Sequence, residues 1–468
     1  MAHITTEKLR DIIDDFATEI KRRRRKTAKP EHEVIDFRGE RADNFVRDIW
    51  VVPVELLRFR KDNGRISSDV LSHEKNYGPL SETNDDDQKV LGEFLSKKDA
   101  EKTKDLKNSL FHGGQQEPAI ITCDGFLING NRRKLALQEL AIEHPGEEKF
   151  RTMKVVILPG KDDEGGQPTL REIEQIENRY QLQSDGKAEY YNFDRALSIR
   201  RKIDVGISLE EQLRDDPNFA NLPQKEFKSK MKKLEDEYLG PLKCVDEYLE
   251  QQGRSGLYDT VSEGRADREG RWQAFRDYHN HVEKKLNNEK NRIALGIEED
   301  EIGKIKDAAF KIIRKREIPG LPKVHAMMRN LPKWLKRTDA KKELLKLSEI
   351  DHALSDSERY DKKGTEFDPR TIDKIWGEKY ATEITRQVKK VAGIVEFSTN
   401  SETPLTLLDA ALKKLNHEQL DLNKVKHDDE TKTVKLIRDI RERVKELEGE
   451  FYEIQKNAKK DKKPKRGK

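Results

Sequence analysis

The chain has 468 residues, of which 34% are hydrophobic and 39% are charged, and its formal net charge at pH 7 is only +4. This length exceeds one ordinary core, so roughly two to four domains are expected. The two cysteines, Cys123 and Cys244, lack the spacing of a metal site, which excludes a recognisable zinc module. No apolar stretch has the length of a membrane span or of a signal segment, so we expect a soluble cytoplasmic protein that spans no membrane.

The charge is unevenly distributed, with two dense basic blocks, KRRRRK at 21–26 and KKDKKPKRGK at 459–468. Such blocks serve as solvated tails or as nonspecific phosphate contacts, and the sequence leaves both alternatives open. The first block ends a predicted amphipathic helix over residues 5–25, with Thr5 or Thr6 as its cap. The apolar residues with helical spacing are Leu9, Ile12, Ile13, Phe16 and Ile20.

A different pattern begins near Ile49, where short apolar runs alternate with helical segments. In chain order we predict a strand at 49–54, a helix near 98–111, strands at 119–123 and 126–128, a helix at 132–141 and a strand at 153–158. Asp124-Gly125 is a typical hairpin turn between the second and third strands. The order predicts a small α+β unit, in which the polar residues 74–104 are interpreted as an insertion. After Pro168 the spacing is predominantly helical.

The segment Ile128-Asn129-Gly130-Asn131-Arg132-Arg133 joins a predicted strand to a predicted helix. Asn131 can cap that helix, and the free N–H groups of a helix start attract anions. Gly130 would let a phosphate approach the backbone, and the guanidinium groups of Arg132 and Arg133 suit phosphate oxygens. The same residues also occur in ordinary surface turns, so the motif alone leaves both interpretations open.

The order of the surrounding pieces resembles the ParB/sulfiredoxin-like superfamily. Val52 to Leu57 followed by Asp62-Asn63-Gly64-Arg65 is similar to the opening strand and turn of that family. His112-Gly113 and Gln116 to Ile121 resemble its next strand, Asp124 to Arg133 its hairpin and Gly-x-Arg-Arg box, and Glu177-Asn178 its Glu-Asn box. The resemblance covers residues 48 to 240. It implies an α+β fold with a small mixed N-terminal domain of this kind, followed by a mostly α-helical C-terminal half.

The resemblance also implies a nucleoside triphosphate, CTP or ATP, bound with magnesium. The residues carried over to the nucleotide site are Asn63, Arg65, Gly130, Asn131, Arg132, Arg133, Glu177 and Asn178. Glu177 and Asn178 would lie by the metal, because magnesium prefers oxygen ligands. Asn131 stands where sulfiredoxin has its reactive cysteine, so sulfinic acid repair is excluded. Gln181 departs from the arginine that the family has three residues after the asparagine of its Glu-Asn box.

A helix-turn-helix domain follows the Glu-Asn box in partition proteins of this family, and residues 207–239 have a loosely similar layout. Lys225, Lys228 and Lys232 fall away from the apolar face of Phe227 and Met231, where they would contact DNA phosphates. A plain helical surface is the alternative, because the turn from Arg214 to Asn221 is long and acidic.

The last helix carries a short heptad pattern, which predicts a coiled-coil-like segment at 426–457. Its apolar positions are Ile437, Ile440, Val444, Leu447, Phe451 and Ile454. A homodimer through residues 437–454, another protein partner, or packing within the chain would each cover this stripe.

We therefore predict an N-terminal helix and basic segment at 1–47, a ParB/sulfiredoxin-like domain at 48–165 and a helix-turn-helix-like region at 166–245. A helical region at 246–425 and a basic tail at 458–468 flank the coiled-coil-like segment. The favoured function is that of a DNA-associated, nucleotide-binding regulator, with slow hydrolysis of the nucleotide as its possible activity. The alternatives are a phosphotransferase or nuclease on the same fold, and a non-catalytic helical adaptor. No Walker-type phosphate loop, HExxH or Gly-x-Ser-x-Gly motif is present.

Overall fold

The computed structural model describes residues 8–27, 29–35, 46–98, 100–182, 191–214, 219, 221–262, 265–417 and 420–461. The chain divides into two compact units, Met1–Val395 and Glu396–Lys468. No helix within the described ranges has both the length and the apolar character needed to cross a bilayer. The finer domain boundaries derived from the sequence stay predictions.

The described strands of the first unit form one small mixed sheet. They are β1 Arg25–Lys26, β2 His32–Val34, β3 Val46–Pro53, β4 Ala119–Ile121 and β5 Thr152–Ile157. Strand β3 pairs antiparallel with β1, β2 and β5, and β4 pairs parallel with β5. The predicted strands at 49–54, 119–123 and 153–158 are therefore confirmed with shifted ends. Residues 126–128 form single bridges instead of a strand, at Phe126 with Arg58 and at Leu127 with Ile121.

The helices that the structure describes before Leu170 belong with this sheet. They are α1 Asp14–Arg23, α2 Ser67–Tyr77, α3 Asp85–Lys98, α4 Ala100–Gly113 and α5 Asn131–Glu143. The interpretation of residues 74–104 as an insertion stays a prediction, but the segment is part of the folded core, because α3 packs in the α/β part. Leu91 and Leu95 of α3 are buried in the same cluster as Val52, Leu137 and Met153.

The first helix begins later than the sequence predicts, at Asp14 instead of near residue 5. A tertiary contact holds the preceding residues in a non-helical form. The guanidinium of Arg10 donates to both oxygens of the buried Asp124 carboxylate, at 2.7 and 2.8 Å, and the backbone N–H of Ile13 donates to the same group. Leu9 makes a single bridge to Thr169. Thr5 and Thr6 lie outside the described residues.

The basic block at 21–26 is part of the fold. The guanidinium carbon of Arg24 lies 4.1 Å from the ring centroid of Trp50, and Arg23 pairs with Glu55 at 2.6 Å. Cation–π and ion-pair contacts of this kind fix side chains that a solvated tail would leave loose. Most of the block at 459–468 lies outside the described residues.

The rest of the first unit is helical. Its first helices are α6 Leu170–Leu182, α7 Asn192–Asp204, α8 Leu209–Arg214, α9 Gln224–Leu234, α10 Gly240–Gln251, α11 Asp259–Ser262 and α12 Arg265–Tyr278. They are followed by α13 Lys284–Leu286, α14 Glu289–Leu295, α15 Glu301–Lys315, α16 Val324–Leu335, α17 Thr338–Leu345, α18 Asp356–Arg359 and α19 Pro369–Lys379. A further helix, α20, spans Ala381–Leu415, so it begins in the first unit and ends in the second. Their shared core contains the fully buried aromatic residues Tyr248, Trp272, Tyr278, Phe310 and Trp376.

Two segments of this helical part have the wider turn of a π-helix. Glu235–Leu239 connects α9 to α10, and His279–Glu283 connects α12 to α13. The two segments lie side by side, since the Asn280 side-chain amide donates to the Asp236 carbonyl at 3.1 Å. A Cβ on Gly240 would overlap the ring of His279, so a larger residue there would require that ring to move. Such π segments occur frequently at functional sites.

The second unit contains the long helix α21, Glu430–Asp461, which agrees with the helix predicted at 426–457. Its predicted apolar stripe is open to solvent. The exposed fractions are 50% for Ile437, 38% for Ile440, 53% for Val444, 61% for Phe451 and 63% for Ile454, and Leu447 is half-buried. The described side chains of α21 therefore present an apolar face that is exposed within the second unit.

Candidate functional site

The predicted nucleotide site is organised around the hairpin at Asp124-Gly125. Arg58 lies alongside this hairpin, accepts from the N–H of Leu127 and donates to the carbonyl of Gly125, both at 2.9 Å. Helix α6 packs on the same element, because Ile173 and Ile176 share a buried cluster with Ile128. The hairpin therefore contacts the chain at Arg58, packs against α6 and leads directly into α5.

Helix α5 begins directly after Gly130, which has a φ of +85°. The residue at the N-cap is Gly130 and no side chain caps the helix, so the predicted capping role of Asn131 is wrong. Gly130 is also required by packing. A Cβ there would lie 2.7 Å from the Cβ of Ala119 and 3.0 Å from the Cε of Met153. The glycine therefore lets the helix start sit against β4 and β5, a reason that the phosphate argument from the sequence did not include.

Asn131 and Asn63 are both buried, with exposed fractions of 8% and 5%. The Oδ1 of Asn63 accepts from the N–H of Arg65 at 3.0 Å, which starts a short 3-10 turn at Gly64–Ile66. Within the described part of the chain, the Nδ2 of Asn63 and the Oδ1 of Asn131 have no hydrogen-bond partner. Leaving a buried polar atom unpaired costs about 1–3 kcal/mol, so each such atom requires an explanation.

The arginines of the predicted box are half-buried, as is Arg65. The guanidinium of Arg133 donates to the backbone carbonyl of Glu117, just before β4. Arg133 thus ties the first turn of α5 to the sheet. Arg132 lies beside it in the same first turn, where a helix dipole favours an anion.

Glu177 and Asn178 are engaged in a network that the sequence did not predict. Arg60 is 5% exposed and donates to Glu177 at 3.1 Å and to Glu174 at 2.9 Å. The second oxygen of Glu177 accepts from the N–H of Gly64 at 3.3 Å. The same α6 carboxylates therefore hold the turn that carries Asn63.

The neighbouring positive charges reinforce this network. Arg201 donates to Glu174 at 2.6 Å, and together with Arg60 it lowers the pKa of Glu174 to about 2 despite burial. Asn178 accepts from Lys202 at 3.2 Å and donates to the carbonyl of Gln212 at 3.1 Å. Burial lowers the pKa of Lys202. Among the described residues, no cluster of three or more His, Cys, Asp or Glu side chains forms a metal site. The magnesium role of Glu177 and Asn178 stays a prediction.

The predicted DNA-contacting lysines lie on α9. Helices α8 and α9 pack through Leu209, Leu213 and Phe227, and Ser208 caps α8 in a reciprocal pair with Glu211. This burial turns Lys225, Lys228 and Lys232 outward, and all three are exposed. The predicted outward face of this helix is confirmed.

Lys228 and Lys232 also line an open groove of about 690 Å³ between α9 and α12, next to the paired π segments. The sequence did not identify its further members Lys233, Arg276 and Asn280, because α12 is distant in the chain. The acidic residues of the groove are already paired, Asp236 with Lys284 at 2.6 Å and Glu237 with Arg276 at 3.4 Å. Within the described ranges, Lys228, Lys232 and Lys233 make no ion pair, so their charge is available to a ligand.

Cys123 follows β4 and is half-buried, and both cysteines are free thiols. Burial and the neighbouring Asp124 raise the pKa of Cys123 to about 11. A thiol with that pKa is protonated at neutral pH and is a poor nucleophile. This agrees with a structural role for the residue.

Searches with protein-family models, with characterised proteins and with solved structures found no significant match to this chain. The resemblance to the ParB/sulfiredoxin-like superfamily therefore stays an expectation from the motifs alone, and what is established is an α+β protein with a small mixed sheet and a large helical part.

Proposed function

We propose that this protein binds a nucleoside triphosphate at the start of α5 and associates with DNA through α9, as a regulator. The observation that carries the nucleotide proposal is the pair of buried, unpartnered amide atoms at Asn63 and Asn131. One is a donor and the other an acceptor. A nucleotide supplies both complements, because phosphate and sugar oxygens accept hydrogen bonds while hydroxyl and amino groups donate them.

The start of α5 supports the same ligand. The first N–H groups of a helix have no partner within the helix, and no side chain caps α5. Arg132 adds a positive charge to the same turn. These features favour a phosphate, while the network of Arg60, Glu174 and Glu177 keeps the Asn63 turn in place. Ligand binding there would reorganise contacts made by α6, which connects the α/β part to the helical part.

A thermal shift assay tests the nucleotide proposal. We expect CTP or ATP with magnesium to raise the melting temperature, since a ligand at about 100 times its Kd stabilises the native state by about 2.7 kcal/mol. Arg132→Ala and Asn131→Leu should each remove most of this shift. Arg22→Ala is the matched control, because Arg22 is exposed and pairs only locally with Glu19. A shift that persists in both α5 variants would place the nucleotide elsewhere.

The DNA proposal depends on the unpaired lysines of the α9 groove. Lysines that neutralise phosphates release counterions, so the affinity should fall steeply as salt rises. Replacing Lys228 and Lys232 with glutamine should weaken binding for all sequences and reduce the salt slope by about 2. Lys290→Gln combined with Lys304→Gln, at exposed lysines of α14 and α15, is the charge-matched control. DNA binding that ignores salt, or is unchanged in the double variant, would contradict the proposal.

The same assays separate the enzyme and adaptor alternatives. Nucleotide hydrolysis that DNA stimulates would support the regulator. Transfer of a phosphate to a small molecule, or cleavage of the DNA, would instead identify an enzyme on this fold. Absence of nucleotide binding would favour the adaptor.

We further propose that the apolar stripe of α21 pairs with a second copy of the chain. Exposed apolar stripes of this length are unusual on a folded protein, and a heptad spacing suits helix pairing. Salt bridges on the remaining faces, such as Arg443 with Glu446 at 2.8 Å, keep those faces polar.

A further inference from the structure

A cavity of about 550 Å³ lies beside α5, on a face of this helix that the nucleotide proposal does not use. Its walls come from the chain at Glu55–Phe59, from α3 and from α5. Phe59, Leu57 and Leu135 supply an apolar surface, and Ser96 and Gln138 supply neutral polar groups. The volume suits a small organic molecule.

Lys134 projects from α5 into the lining of this cavity, and its exposed fraction is only 4%. Its Nζ lies 3.8 Å from the ring centroid of Phe59. Within the described part of the chain, this amine has no hydrogen bond and no carboxylate partner. A buried lysine without a carboxylate is uncommon, because burial of an ammonium ion is costly unless it is paired.

The surroundings of Lys134 favour the neutral amine. Burial, and secondarily the positive charge of Arg58, lower its pKa to about 7. The other charged groups of the cavity are Glu55, Asp85, Lys89 and Glu93, and Asp85 is already paired with Arg58 at 2.9 Å. The neutral amine of Lys134 is therefore populated near neutral pH, unlike that of an ordinary lysine. A desolvated, neutral lysine in an apolar pocket is the form that attacks carbonyl carbons.

We propose that this cavity binds a small aldehyde or ketone and that Lys134 forms an imine with it. The lone pair of Nζ adds to the carbonyl carbon, and the electron pair of the C=O bond moves to oxygen. The oxygen leaves as water with the two amine protons, and a C=N bond remains. The step consumes no oxidant or reductant and reverses when water adds. It does not depend on the nucleotide site.

Reductive labelling of the full-length protein tests this proposal. The probe is pyridoxal 5′-phosphate, an aldehyde, and sodium borohydride converts its imines to stable secondary amines that peptide mass spectrometry locates. At pH 7 we expect Lys134 to be labelled about tenfold or more faster than Lys89. The hydrogen bond to Asp86 raises the pKa of Lys89 above the ordinary lysine value near 10.4, so Lys89 is almost fully protonated. Lys89 is the internal control, since it lines the same cavity with 75% of its side chain exposed.

Two further measurements distinguish the cavity from general amine reactivity. Raising the pH from 7 to 9 should accelerate labelling of Lys89 far more than that of Lys134. Ser96→Trp should slow labelling at Lys134 while leaving Lys89 unchanged, because Ser96 is an exposed member of the lining. Equal rates at the two lysines at pH 7, or a Lys134 rate that Ser96→Trp does not change, would overturn the proposal. The comparison of the Lys134 and Lys89 rates is made in the wild-type protein, so it does not depend on whether Ser96→Trp folds.

Discussion

Replacing Gly130 with alanine separates packing from ligand binding as the reason for this glycine. The φ of +85° alone costs an alanine about 1–2 kcal/mol. The contacts at 2.7 Å to Ala119 and 3.0 Å to Met153 add overpacking, which typically costs about 1–3 kcal/mol. We therefore expect Gly130→Ala to lower the free energy of unfolding by about 3 kcal/mol when no nucleotide is present.

Gly114→Ala is the matched control. Its φ is +66°, but nothing lies within 4 Å of the position of a new Cβ, so only the backbone cost of about 1 kcal/mol applies. The double variant Ala119→Gly with Gly130→Ala removes the nearest contact and should recover part of the loss, which appears as non-additivity. Equilibrium denaturation measures the wild type, the single variants Gly130→Ala, Ala119→Gly and Gly114→Ala, and the double variant. Hydrogen exchange of peptides from β4 and α5 localises the effect. The reasoning is refuted if Gly130→Ala costs no more than Gly114→Ala.

Three other variants test separate features of the structure. Lys134→Met should be more stable than the wild type by on the order of 4 kcal/mol at pH 6, because burial lowers the pKa of Lys134 in the folded protein to about 7. Between pH 7 and 10.5 the unfolded wild-type chain binds more protons than the folded one, so the wild type gains stability and the difference shrinks as the pH rises. Parallel stability curves would contradict this. Arg60→Met should cost about 3–5 kcal/mol in denaturant titrations by leaving Glu174 and Glu177 buried without their shared cation, whereas Arg22→Met should cost almost nothing. Val444→Asp combined with Leu447→Asp should convert a dimer to a monomer in light scattering, and a wild-type chain that is already monomeric at micromolar concentration would rule out the dimer.

Element type was predictable wherever one face of a segment is regularly apolar. Strand β5, helix α5 and helix α21 lie at nearly the predicted positions, because the local spacing of apolar residues determines the type of each of these elements. Helix α1 starts late because the residues before it bind Asp124, a partner 114 positions away from Arg10. Helix α3 was misjudged because its many charges conceal Leu91 and Leu95, which are four residues apart and buried.

The site was only partly predictable for a related reason. The turn at Asn63 and Glu177 do lie together, since the N–H of Gly64 donates to Glu177, while their role in a nucleotide site stays a prediction. The charges that surround Glu177 could not be inferred, because Arg60 and Arg201 are ordinary residues until the fold pairs them. The contribution of Arg276 to the α9 groove could not be predicted either, because Arg276 lies on a helix about 40 residues away in the sequence. The π segments also make the helices around the α9 groove harder to predict from sequence, since each π segment shifts the apolar spacing of a continuous helix by one residue.

The contact between Arg10 and Asp124 has a practical consequence for dividing this protein into fragments. Residues 10–13 form neither helix nor strand, so a fragment designed by secondary structure would begin at Asp14. That cut would leave the Asp124 carboxylate, which is fully buried, with the hydroxyl of Thr122 as its remaining side-chain donor in the described structure. An uncompensated buried charge costs several kcal/mol, and the hairpin that precedes α5 would bear that cost. A fragment that retains the α/β part in its native form therefore has to include Arg10.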